Sequence, residues 1–178
     1  ARIERLRAEA IRRTSGWSHE QFLMESAALE VLMDSGRAQE TVAAAEKLLN
    51  RAEILGEDAY EGAAYDLATI HLTLGLARLM AGENEAAQAA LEEARSRFER
   101  LAAAGHDEAA RMVALAHARV GDALRALGQP RKAETCYRDA IVAATELGDR
   151  RQAAEIGTQL GSLLLAQGRP DDALAVYE

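Results

Sequence analysis

Four places in the chain carry residue types that could do metal or acid–base chemistry. His19-Glu20 opens like the helix of a zinc protease, where a second histidine four residues after the first completes a metal-binding pair on one helix face and the glutamate acts as base. Leu23 stands at that position, so the pattern holds no metal. His71 and His117 each precede a glycine, Gly75 and Gly121, by four residues. Neither brings the further Cys, His or acidic ligands that a metal site needs, and that register is expected to pack between helices. Cys136 is the only cysteine of 178 residues, so it has no partner for an internal disulfide, a redox pair or a zinc motif. Beside Tyr137 it reads as a small packing residue. No phosphate-cradling glycine loop, GxGxxG or Ser/His/Asp ordering appears, and paired acids are scattered along faces expected to be solvated. The sequence therefore predicts no catalytic residue, no metal and no cofactor.

The elements that would position any site are helices. Hydrophobic residues make up 49% of the chain but aromatic ones only 4%. Alanine and leucine supply most of the apolar count, which favours close-packed helices over strands of β-branched and aromatic residues. The fold class expected is all-α. A net charge of −8 disfavours a nucleic-acid or anionic-membrane surface, since phosphate binding relies on clustered Lys and Arg. The basic start (Arg2, Arg5, Arg7, Arg12, Arg13) is interrupted by Glu4 and Glu9 and reads as a solvated helix face. No apolar run approaches the roughly 20 residues needed to span a bilayer, and no signal-peptide pattern opens the chain, so a cytoplasmic protein is expected. There is no initiator methionine and Glu178 falls inside an expected helix, so the chain reads as a piece of something longer.

Residues 2–13 place Ile3, Leu6, Ala10 and Ile11 on one face of an amphipathic helix that precedes the rest. Ser18 with Gln21 forms a capping box, and Trp17 and Phe22 sit where a hydrophobic staple would clasp the start of a helix over 19–34. A second helix spans 38–55. Asp58 with Glu61 forms another capping-box pattern, predicting a long helix over 59–81, about 35 Å at 1.5 Å per residue. Further helices are expected over 84–104, 108–127, 130–147 and 151–167, the last capped by Asp149 with Gln152, and a final one follows Pro170.

The turn glycines Gly36, Gly82, Gly128 and Gly168 are separated by 46, 46 and 40 residues. Seven residues before the last three sits an inner glycine, at 75, 121 and 161. A glycine inside a helix costs about 1 kcal/mol relative to alanine, so its recurrence argues for close approach of a neighbouring backbone. The skeleton Gly121, Gly128, Ala133, Tyr137, Ala140 recurs as Gly75, Gly82, Ala87, Leu91, Ala94 and as Gly161, Gly168, Ala173, Tyr177. Each helix pair cannot bury its apolar face alone, so stacked neighbours must make the core.

The segments GDALRALGQPRKAETCYRDAI, GLARLMAGENEAAQAALEEA and GSLLLAQGRPDDALAVYE resemble the tetratricopeptide repeat. The periods of 40 and 46 are similar to the lengthened repeats of kinesin light chains, the polarity adaptor Pins and the regulatory regions of bacterial transcription activators. The resemblance implies a right-handed α-α superhelix. It divides the single solenoid into a preceding helix (2–13), a divergent helix pair (18–56), repeats at 59–105 and 107–148, and an incomplete repeat at 149–178. It also implies that the outbound helices line a concave groove for peptides or partner helices.

By register, the groove then offers an apolar patch of Leu72, Leu76 and Leu79 beside a polar patch of Arg119, Asp122, Arg125, Gln159 and Ser162. The family's lysine and asparagine clamp for a chaperone's C-terminal carboxylate is absent, which argues against that ligand. The expected function is a protein-interaction module within a larger intracellular protein, its partner a protein or peptide rather than nucleic acid or membrane. The alternative is a regulatory or sensor domain whose groove closes on a small molecule or an attached domain. Self-association through the incomplete terminal repeat is a third expectation.

Overall fold

The structure, a computed structural model, describes residues 17–177; the expected helix over 2–13 lies outside the described residues. Eight helices follow one another among the described residues: α1 (His19–Asp34), α2 (Ala38–Leu55), α3 (Ala63–Met80), α4 (Asn84–Ala103), α5 (Asp107–Ala126), α6 (Pro130–Glu146), α7 (Arg150–Ala166) and α8 (Pro170–Tyr177). Ser18 caps α1 by accepting from the Gln21 amide, and Asp149 caps α7 by accepting from the Gln152 amide at 2.9 Å.

Glycines end the outbound helices α1, α3, α5 and α7 in the same way. At Gly82 (φ 78°) the glycine amide donates to the Leu79 carbonyl and the Glu83 amide reaches back to Arg78, the double bond that closes a helix through one left-handed residue. Gly128 (φ 68°) repeats it, its own amide bonding Arg125 and the Gln129 amide bonding Leu124. A side chain at either position would be strained by the backbone conformation alone.

The expected helix over 59–81 is corrected at its start. Asp58 and Glu61 form no cap; residues 57–62 are a turn, Gly62 (φ 93°) stands at the N-cap, and α3 begins at Ala63. Its 18 residues span about 27 Å rather than 35. The turn is held by tertiary contacts: the Tyr60 hydroxyl donates to Asp66 Oδ2 at 2.7 Å, fixing the loop against the first turn of the helix.

Each helix packs on the next, and the outbound helices also touch in series, α1 on α3, α3 on α5 and α5 on α7. The returning helices α2, α4, α6 and α8 do not touch one another among the described residues. A row in contact on one side and apart on the other must curve, with the outbound helices on the inside. The core runs along the stack: Leu91, Phe98, Tyr137, Leu160 and Leu164 are fully or nearly fully buried, together with the small residues Ala87, Ala133 and Ala173. At the first end Phe22, Leu29, Leu48, Ile70 and Leu74 form a second cluster, with Trp17 packed against it in the staple position.

The inner glycines chiefly admit a side chain, and Gly75 also meets a neighbouring backbone. A Cβ on Gly75 would fall 2.5 Å from Leu91 Cγ, and one on Gly121 would fall 2.8 Å from Tyr137 Cε1; at Gly161 the space is taken by the Tyr177 ring. The residue filling each space lies 16 positions after its glycine in all three repeats. At Gly75 the Ala87 carbonyl adds a backbone contact at 3.3 Å.

Candidate functional site

The inner face carries the residues expected to bind, and burial sorts them. Leu72 is a correction: at 5% exposure its side chain belongs to the core and supports the surface from beneath. Leu76 and Leu79 are half-buried, packed on the core with part of each side chain facing out. On α5, Arg119 Nη1 lies 2.9 Å from Asp122 Oδ2, and Arg125 Nη2 lies 3.8 Å from Asp122 Oδ1. The same carboxylate accepts from the Tyr137 hydroxyl at 2.7 Å. Asp122 thus ties the buried ring on Gly121 to two surface arginines. Burial first, then the bond to Asp122, pushes the Tyr137 phenol well above the ordinary tyrosine range. Gln159 and Ser162 lie on α7; the Ser162 hydroxyl donates back to the Thr158 carbonyl at 2.8 Å, and the Gln159 Oε1 is buried without a hydrogen-bond partner.

The two histidines weighed as metal ligands are inter-repeat contacts. His117 Nε2 lies 3.0 Å from Glu99 and His71 Nε2 lies 3.9 Å from Glu53, the glutamate in each case 18 residues earlier on the preceding returning helix. Burial, with the Arg97 charge adding to it, lowers His71 to about 4. No cluster of three or more His, Cys, Asp or Glu able to hold a metal occurs among the described residues. Cys136 is buried, and that burial raises its thiol above the usual range.

Sequence reasoning missed the most enclosed ionisable group among the described residues, Asp66, which is 2% exposed in the first turn of α3. His19 Nδ1 lies 2.8 Å from Asp66 Oδ2, the oxygen that also accepts from Tyr60. The hydrogen bond to Asp66 raises the His19 imidazole above its ordinary value, partly offset by desolvation. Tyr60 is raised by burial and by the same carboxylate. His19 and Asp66 line a cavity of about 920 Å³ between α1, α3 and the start of α5. Ser26 lines it too, but two turns from His19 on the same helix, about 10 Å along the axis, it is out of reach for activation as a nucleophile. The signal available in sequence was an acid inside the most apolar helix; its partner stands 47 residues away with no spacing rule to join them.

No described helix is long and apolar enough to cross a membrane. The Tetratricopeptide repeat family model matches residues 111–178. No match to the sequence is found among curated proteins. In fold the chain is similar to the Rap conjugation gene regulator of the plasmid pLS20, solved in complex with the Phr* peptide, with a TM-score of 0.71 and 18% identity over 88% of this chain. It spans 40% of that regulator's length. It is also similar to BtubC (BKLC) from P. vanneervenii, with a TM-score of 0.66 and 17% identity over 98% of this chain and 70% of the other. With its repeated glycine skeleton, its antiparallel helix pairs and these likenesses, the chain has the fold of a tetratricopeptide-type helical repeat, a right-handed α-α superhelix, and the family model itself covers residues 111–178.

Proposed function

We propose that this chain is a protein-interaction module that holds a peptide or partner helix on the concave row of α1, α3, α5 and α7. The observation that carries the reading is the one-sided contact of the outbound helices, which leaves a continuous inner surface lined by half-buried Leu76 and Leu79 next to Arg119 and Arg125. Leucines packed at their base but open at their tips can accept apolar side chains with little loss of conformational freedom. The arginines, already aligned by Asp122, add polar contacts beside them. Gln159 and Ser162 extend the strip onto α7. The regulator of similar fold binds a peptide, which makes a peptide a reasonable occupant for a solenoid of this kind.

The module acts without catalysis, as a cytoplasmic part of a larger protein, and the net charge of −8 favours a polypeptide partner over nucleic acid or membrane. The test is to select binders from a displayed library of random dodecapeptides on the 178-residue chain, then measure the best binder against Leu76→Glu/Arg125→Glu. Loss of binding with helical content intact supports the assignment. Unchanged affinity in the folded double variant removes it.

A further inference from the structure

We infer that the 920 Å³ cavity between α1, α3 and the start of α5 is a subsite for a cationic, apolar-flanked stretch of peptide: a lysine or arginine beside a large aliphatic residue. The inference rests on the groove reading and specifies what one end of that groove selects. The volume lies within the range of ligand pockets, about 300–1,000 Å³. Its apolar surface comes from Phe22, Leu23, Tyr65 and Leu101, of which Leu23 is half exposed at 51%. Among the described residues no lysine or arginine lines it. Its remaining charge is acidic. Glu57 is occupied by Arg97 and Arg100, and Asp66 by His19 and Tyr60. Glu30, Glu61, Asp107 and Glu108 also line it and make no ion pair among the described residues.

Part of that acidity has a local reason. Glu61 precedes α3, and Asp107 and Glu108 open α5, where the helix dipole favours negative charge. Glu30 has no such reason, because it lies in the C-terminal half of α1, far from the N-terminal turn where the dipole favours a carboxylate. Its face of α1 turns it toward the same space as Glu61. Four carboxylates that have no ion-pair partner among the described residues, set around an apolar floor, repel an acidic ligand and attract a basic one. The floor then discriminates in favour of a basic stretch that also carries aliphatic side chains. His19 and His106 are the only potential cations among the described residues that line the cavity.

The test uses fluorescence anisotropy with three labelled decapeptides of alternating residues, leucine–lysine, leucine–glutamate and serine–lysine. The leucine–lysine peptide should bind the 178-residue chain best, and Glu30→Lys/Glu61→Lys should weaken it by at least about tenfold, with the neutral Glu30→Gln/Glu61→Gln variant in between. Both positions are exposed and unpaired, so the variants keep the fold. Equal or tighter binding of the leucine–glutamate peptide overturns the inference while leaving the groove reading intact. So does leucine–lysine binding that Leu76→Glu/Arg125→Glu abolishes and the charge reversals do not touch. Equal binding of serine–lysine overturns the role of the apolar floor. Binding of none of the three overturns the inference, and the library selection then decides the groove reading by itself.

Discussion

The ring of Tyr137 occupies the space where a side chain at Gly121 would begin: a Cβ there would fall 2.8 Å from its Cε1 and 3.0 Å from its Cδ1. Tyr137 is fully buried, so the ring has nowhere to move. In Gly121→Ala the overpacking cost, about 1–3 kcal/mol, outweighs the roughly 1 kcal/mol gain in helix propensity. A net loss of about 1 kcal/mol in urea unfolding is expected.

Gly157 makes the contrasting case within a helix of the same type. A Cβ there would meet Val176 Cγ1 at 3.7 Å, an ordinary contact, and nothing closer. Gly157→Ala should therefore stabilise the chain by about 0.5–1 kcal/mol, seen as a raised melting temperature.

Removing the Tyr137 hydroxyl should separate the scaffold from the surface. Tyr137→Phe keeps the ring on Gly121 but deprives Asp122 of its 2.7 Å donor, at a cost of about 1 kcal/mol. Asp122 keeps Arg119, so helical content should be unchanged in circular dichroism while the arginines lose part of their alignment.

The two perturbed histidines predict opposite pH dependences. His71 is lowered to about 4, so it is neutral in the fold while the unfolded chain protonates near 6.5. Its contribution is fully present above pH 6.5 and is lost as pH falls toward 4, at most about 3 kcal/mol. His71→Leu should flatten the acid side of a stability–pH profile. His19 is raised by its bond to Asp66, so its contribution is present below pH 6.5 and is lost as pH rises through the raised value. The His19 imidazole, followed by NMR, should titrate above 6.5 in the native chain and return toward the ordinary range in Asp66→Asn.

The repeat was legible because it is local. The turn glycines, the caps at Ser18 and Asp149 and the bounds of α1 and α2 follow from residues within one or two turns of each other. Even the ring on Gly121 was present as a fixed spacing of 16, although a close backbone was expected where a side chain is found. The start of α3 was misread because Asp58 and Glu61 imitate a capping box, while the real boundary is set by Tyr60 and His19 closing on Asp66. The candidate site was legible only in register. Burial moved Leu72 into the core, and the cavity beside Asp66 depends on how three outbound helices and a loop meet, which no periodicity encodes.

The central claim, that the concave row of outbound helices holds the ligand, is tested most directly by placement of a photo-crosslinking amino acid. It replaces Leu165, exposed on α7 in the groove register, and in a second protein Val142, exposed on the returning helix α6. With the selected dodecapeptide bound, the account predicts a covalent adduct from position 165 and none from position 142. An adduct from position 142 alone would contradict it.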